Sequence, residues 1–214
     1  MTLVAVGDSI VHADDSWPAW LARAIGAPLR RVSANGARAD DVLEQLPELT
    51  GGRYAVACLS VGTNDVLFDW DAAVFARRLA EVAAALLASA DSVVVPTVSR
   101  SLGRFPGGGE ELGRRVAEVN GVLRASGLTV ISGEDLRGPR LHQADRIHPT
   151  LEGQLLLADR AAAALGVTPV PSSLAAAPPG AGRWEYHRVA AGQAPRRVVK
   201  RVLGRPMYRD PRDG

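Results

Sequence analysis

Five short runs enriched in apolar and β-branched residues recur along the first 167 residues, at about 3–6, 29–33, 55–61, 92–98 and 128–131. Longer stretches lie between and after them, at about 17–25, 39–46, 72–88, 110–125 and 151–165, and in these the apolar positions return every three or four residues. Alternating short runs and helical-period stretches is the pattern of successive βα units. Most of the short runs are apolar at nearly every position, as a strand covered on both faces requires. The expected class is therefore α/β, with a parallel sheet between two layers of helices. Helix starts are marked as well. Asp69 or Asp71 stands where a cap for the stretch at 72–88 is needed, and Thr150 is placed to cap the last helix.

One stretch breaks the alternation. Residues 99–109 read Ser-Arg-Ser-Leu-Gly-Arg-Phe-Pro-Gly-Gly-Gly, and three consecutive glycines are incompatible with a helix interior. This segment is predicted to be a flexible loop at the carboxyl end of the fourth strand, the edge where open α/β sheets bind ligands. A substrate wall and a tolerated surface insertion are both consistent with it.

Composition narrows the picture. A chain of 214 residues with 47% hydrophobic content can bury one good core and is not a disordered chain. The net charge of +2 hides an asymmetry: residues 171–214 hold nine of the 25 Lys and Arg but only three of the 23 Asp and Glu. Together with the Pro, Ala and Ser content of 169–180, this divides the chain into a domain at 1–168 and a Pro/Ala linker with a basic extension at 169–214. Val198, Val199, Val202 and Leu203, with Arg197, Lys200, Arg201 and Arg205 elsewhere, suit a short basic amphipathic helix. Its first expectation is packing on the main domain. Contact with an anionic membrane through 183–212 is the second, and nucleic acid is disfavoured because no nucleic-acid module accompanies the charge.

The single cysteine, Cys58, sits inside an apolar run and reads as a small core residue. No run approaches the roughly 18 apolar residues that a membrane span needs, and the N-terminus opens directly on a strand-like run, so a cytoplasmic location is expected. Neither a dinucleotide fingerprint nor a phosphate loop follows the first run, and no zinc-like cysteine or histidine cluster occurs. The pattern does not specify an oligomeric state.

The candidate chemistry lies at the junctions. Gly7-Asp8-Ser9 follows the first run, Asn35-Gly36 the second, Gly62-Thr63-Asn64-Asp65 the third, and Asp145-Arg146-Ile147-His148-Pro149 precedes the last helix. A serine hydroxyl is a poor nucleophile until a base takes its proton. His148, three residues after Asp145, is spaced so that a turn brings the carboxylate to one ring nitrogen while the other faces Ser9. The Asn64 amide can donate to an oxyanion, and a glycine at 36 exposes its N–H without a Cβ in the way. Each element also has a plainer reading: Gly-Asp-Ser as a capped turn, Asn64 as an Asx-turn, and Asp8 and Asp65 as organisers of their loops. Trp17 and Trp20 lie three apart on one helix, which suits core packing first and an aromatic substrate wall second.

Taken together, Val6-Gly7-Asp8-Ser9, Gly36, Gly62-Thr63-Asn64-Asp65 and Asp145-Arg146-Ile147-His148-Pro149-Thr150 resemble the four blocks of the SGNH, or GDSL-type, hydrolase family over about residues 2–167. Where that family often has Leu or Tyr after the serine, this chain has Ile10-Val11. The resemblance implies a flavodoxin-like three-layer α/β/α sandwich with a five-stranded parallel sheet. It implies Ser9 as nucleophile, His148 as general base and acid, and Asp145 as its orienting partner. The oxyanion hole would be the Ser9 N–H, the Gly36 N–H and the Asn64 side chain. The expected activity is hydrolysis of a small-molecule acyl ester, short-chain or acetyl, through an acyl-enzyme without metal or organic cofactor. A non-catalytic binding protein on the same fold, or a lysophospholipase or thioesterase with a membrane-associating tail, are the alternatives.

Overall fold

The computed structural model describes residues 1–49, 51–68, 70–104 and 109–175. Asp69, residues 105–108 of the glycine-rich segment and the basic extension from 176 onward lie outside the described residues.

The chain runs β1 (Leu3–Gly7), α1 (Ser9–His12), α2 (Trp17–Ile25), β2 (Leu29–Ser33), α3 (Ala39–Gln45), β3 (Tyr54–Ser60), α4 (Thr63–Leu67), α5 (Ala72–Ser89), β4 (Ala90–Pro96), α6 (Gly109–Ala125), β5 (Thr129–Ile131), α7 (Gly138–Leu141) and α8 (Leu151–Leu165). Single 3-10 turns occupy Leu46–Leu49, Arg100–Arg104 and Pro171–Leu174. The five strands form one parallel sheet in the order β2-β1-β3-β4-β5. Helices cover both faces, giving the α/β/α sandwich that the alternation predicts.

The two-residue period of each strand sorts its side chains into two cores. Val4, Val6, Ala57, Leu59, Val93 and Val95 face Phe75, Leu79, Val82 and Leu86 of α5 and Val116, Val119 and Leu123 of α6. Leu3, Ala5, Val56, Cys58 and Val94 face Trp17 and Leu21 of α2 and Leu157, Ala158 and Ala161 of α8. Cys58 is fully buried, and burial pushes its thiol pKa up. Trp17 is fully buried as well, so it is core and not a substrate wall. β2 departs from the all-apolar pattern for a reason of position: it is an edge strand, and its Arg30 and Arg31 reach solvent.

Caps and turns follow the local chemistry. Asp71 caps α5 by accepting from the Ala73 and Val74 N–H groups, each at 2.9 Å. Thr150 caps α8 by accepting from the Gly153 N–H at 3.2 Å. β4 ends two residues earlier than expected. Asn120 of α6 takes over the backbone of Val98, accepting from its N–H at 2.7 Å and donating to its carbonyl at 2.8 Å, which draws the chain out of the sheet.

The stretch after β4 differs from the loop expected there. Its first half is a packed 3-10 turn at Arg100–Arg104, with Ser101 and Leu102 buried. The cause is anchoring: the Ser99 and Ser101 hydroxyls both donate to the Leu136 carbonyl, at 2.8 and 2.7 Å, and Leu102 enters the core beneath α6. Glu134, itself buried, pairs with both Arg100 and Arg124 and fastens this turn to the β5–α7 connection. Past α8, the turn at Pro171–Leu174 buries Pro171 and continues the packed chain beyond residue 168. Among the described residues, no helix is long and apolar enough to cross a membrane.

Candidate active site

Register sets the stage. Gly7, the last residue of β1, pairs with Ser33 of β2 and Ser60 of β3. The segments carrying Ser9, Gly36 and Asn64 therefore leave the sheet side by side, at its carboxyl edge where the strand order reverses.

Ser9 is the first residue of α1, with Asp8 as N-cap. Asp8 is fully buried, and its Oδ1 accepts from the Ile10 N–H at 3.0 Å and the Ser60 hydroxyl at 2.7 Å. Burial pushes the Asp8 carboxyl pKa up, against those hydrogen bonds and the nearby His148. This matches the organising role expected of Asp8. Gly7 is required by space: with φ near +128°, an added Cβ would lie 2.0 Å from the Ser60 carbonyl oxygen. That close approach also lets the Asp8 N–H donate to the same oxygen, at 3.2 Å.

The second and third blocks hold each other. The Asn64 Nδ2 donates to the Ala37 carbonyl at 3.0 Å. Asp65 accepts from the Ala39 N–H through one carboxylate oxygen, at 3.0 Å, and from the Gly62 N–H through the other, at 3.1 Å. Burial raises the Asp65 pKa in spite of these bonds. The amide of Asn64 carries two hydrogens, so the bond to Ala37 orients the nitrogen without consuming its donor capacity. Gly36, one residue before that carbonyl, sits at φ near +80° with open space where a Cβ would stand.

The last block is a tight turn built on Asp145. One carboxylate oxygen accepts from the Ile147 and His148 backbone N–H groups at 2.9 and 3.0 Å, while the other lies 2.7 Å from His148 Nδ1. Between them, Arg146 takes a left-handed φ of 62°. A carboxylate only accepts, so Nδ1 carries the ring proton and Nε2 presents its lone pair. Nε2 lies 2.8 Å from the Ser9 hydroxyl oxygen. Burial pulls the His148 pKa down, but the hydrogen bond and charge of Asp145, with the charge of Asp8, outweigh it and the net direction is up. Asp145 moves the other way: burial raises its pKa, but the bonds and charge of His148 dominate and leave it lowered. The His148 side chain is 35% exposed, so a ligand can reach it.

Thus Ser9, His148 and Asp145 form one hydrogen-bonded chain, and Gly36 and Asn64 are joined through the turn at Ala37. Among the described residues, no group of three or more His, Cys, Asp or Glu side chains is placed to hold a metal ion.

Three amides that the motif pattern does not single out complete the frame. Gln45 accepts from the Gly7 N–H at 3.0 Å and donates to the Gly7 carbonyl at 3.1 Å. Asn120 grips Val98 as described. Gln154 of α8 donates to the Ile10 carbonyl at 3.1 Å and accepts from the Trp17 N–H at 2.8 Å, tying the helix after the His148 turn to the residue after Ser9. All three are buried. Their signal in the sequence is an amide at an otherwise apolar helical position, as at Val116, Val119, Asn120 and Leu123.

The GDSL-like lipase/acylhydrolase family model matches residues 5–156. With the sandwich and the edge site in place, this defines the class: the chain belongs to the GDSL-type, or SGNH, hydrolase family and is an ester-hydrolysing enzyme. No curated protein matches it. Among solved structures, a lipolytic protein of the G-D-S-L family from Veillonella parvula superposes with a TM-score of 0.62 at 20% identity, over 75% of this chain and 96% of that one. An extracellular lipase from Streptomyces rimosus gives 0.57 at 20% identity, over 78% and 99%. The acetylxylan esterase Axe2 from Geobacillus stearothermophilus gives 0.59 at 14% identity, over 77% and 94%. At these identities the likeness is one of fold.

Proposed function

We propose that this protein is a serine esterase acting on short-chain acyl or acetyl esters through an acyl-enzyme at Ser9. The observation that carries the reading is the hydrogen-bonded chain from the Ser9 hydroxyl, 2.8 Å from His148 Nε2, to Asp145, 2.7 Å from His148 Nδ1. His148 takes the Ser9 proton as the oxygen attacks the ester carbonyl. The oxyanion that develops is received by the Ser9 and Gly36 N–H groups and the Asn64 amide, donors whose backbone settings are already organised before substrate arrives. The imidazolium, held by Asp145, then protonates the leaving alkoxide. Water repeats the cycle against the acyl-enzyme and releases the acid. Nothing in this sequence of steps calls for a metal or an organic cofactor.

The test is a panel of p-nitrophenyl esters from acetyl to palmitoyl, with acetylated xylan oligomers, run on wild type and Ser9→Ala. Turnover that is greatest on the short acyl chains and lost in Ser9→Ala is the expected result. Labelling by a serine-reactive phosphonate should vanish in the same variant. Turnover or labelling that persists in a folded Ser9→Ala protein would sink the assignment of the nucleophile.

A further inference from the structure

A small cavity of about 30 Å³ adjoins the catalytic pair, between the carboxyl ends of β3 and β4 and the turn that carries His148. The burial of its walls shows where it opens. Ile10, Ser99, Arg146 and Ile147 are half-buried, and the other residues that line it are buried. The mouth therefore lies at those residues. Ile10 and Ile147 are the chain neighbours of Ser9 and His148, whose side chains meet at 2.8 Å. Thr63, the neighbour of Asn64, stands in the wall as well. Arg146 belongs to the rim and not to the interior, which is largely apolar: Val98, Leu102, Leu136 and Leu157 are each at most 5% exposed. The hydroxyls of Ser60 and Ser99 donate elsewhere, to Asp8 and to the Leu136 carbonyl.

We infer that this cavity receives the acyl chain of the ester and that Leu102 sets how long that chain can be. The inference rests on the serine-esterase reading of Ser9 and His148. The order of the chemistry decides which half of the ester enters. The leaving alcohol must escape before water can attack the acyl-enzyme, whereas the acyl chain stays bonded to Ser9 through both steps. A pocket closed at its inner end by buried side chains would trap the alcohol and suits the half that remains. Size decides the length. The volume equals that of about two water molecules, so a tail of about two or three carbons fits and a longer one does not. Leu102 is the wall that fixes this depth because its place is set independently of the strands. The Ser99 and Ser101 hydroxyls bind its turn to the Leu136 carbonyl, and its side chain separates the cavity from the core beneath α6. Shortening it extends the cavity into space that no strand or catalytic side chain occupies.

Two ester series separate the two halves of the substrate. One varies the acyl chain, as p-nitrophenyl acetate, propanoate, butanoate, hexanoate and octanoate. The other keeps the acetyl group and varies the alcohol from methyl to hexyl. Both are run on wild type, Leu102→Ala and, as a second opening of the same cavity from a different wall, Val98→Ala, with thermal melts to confirm folding. In wild type, kcat/KM should rise by about fourfold for each methylene that the cavity buries and fall sharply beyond butanoate. Leu102→Ala should raise the ratio of hexanoate to acetate by about tenfold while acetate itself is still turned over, and Val98→Ala should move it in the same direction by less. The alcohol series should keep its profile in both variants, which a general loosening of the site would not allow. A wild type that takes octanoate as readily as acetate, an acyl profile unmoved in the folded variants, or a shift confined to the alcohol series would overturn the inference. Turnover of every ester that is indifferent to Ser9→Ala would instead count against the esterase reading beneath it.

Discussion

At the scale of single residues, the site is held by carboxylates that divide their two oxygens between turn and partner. Asp145 splits its carboxylate between its own turn and the ring of His148, so the imidazole has one tautomer and one orientation. The direction of the His148 shift has a kinetic consequence. In the proposed mechanism His148 must be unprotonated to accept from Ser9, and its pKa lies above the ordinary 6.5 of histidine. The acid limb of the kcat/KM profile should therefore fall above pH 6.5, with activity lost as pH drops through it. Asp145→Asn removes the bond and the charge that hold this pKa up and leaves the depressing effect of burial. The limb should move to lower pH, and kcat should fall by about four orders of magnitude as the tautomer is lost. A pH-rate profile of the variant checks both, and a limb that stayed in place would show that Asp145 does not set the base.

At the scale of elements, the short distance between Ser9 and His148 is a matter of how α1, α2 and α8 are joined. Gln154 makes that joint with two hydrogen bonds, and its burial means that nothing replaces them when they are lost. Gln154→Leu strands the part-buried Ile10 carbonyl and the buried Trp17 N–H and should lower stability by about 1–3 kcal/mol in urea unfolding. Because it acts on alignment and not on substrate contact, kcat should drop more than KM rises. A variant that loses stability but keeps kcat would show that Gln154 serves packing alone. The post-β4 stretch carries a related lesson. Its glycines suggest a loop, yet two serine hydroxyls converging on one carbonyl and the Glu134 ion pairs fold its first half into the molecule.

At the scale of the whole molecule, two cores sandwich one sheet and the site lies along a single edge. The turn at Pro171–Leu174 belongs with this body: Pro171 is buried, and the Ser172 N–H donates to Asp159 of α8 at 2.8 Å. A chain shortened to end at Ala175 keeps this turn and serves as the reference. One shortened to end at Thr168 should lose about 1 kcal/mol, from the uncovered apolar surface and the missing bond to a carboxylate. Thermal melts of the two truncations, read beside wild type, decide it, and equal stability of both would remove the turn from the folding unit.

Much of this was legible in the residues because it depends on local pattern. Runs of apolar residues on every position, set between helical-period stretches, demand a doubly covered parallel sheet, and the blocks at Ser9, Gly36, Asn64 and His148 fall at its strand ends. The turn from Asp145 to His148 is likewise local, closed by a carboxylate three residues from its ring. α1, α4 and α7 escaped notice because four or five residues are too few to show a helical period. Gln45, Asn120 and Gln154 escaped because an amide in an apolar stripe is ambiguous until its partner across the fold is known. Sequence by itself determined the fold class, the order of the strands along the chain and the chemical groups at their ends, since these follow from periodicity and side-chain type. Tertiary structure alone decided that a hydroxyl and a ring nitrogen 139 positions apart meet at 2.8 Å, because that distance is set by strand register and by buried hydrogen bonds between segments remote along the chain.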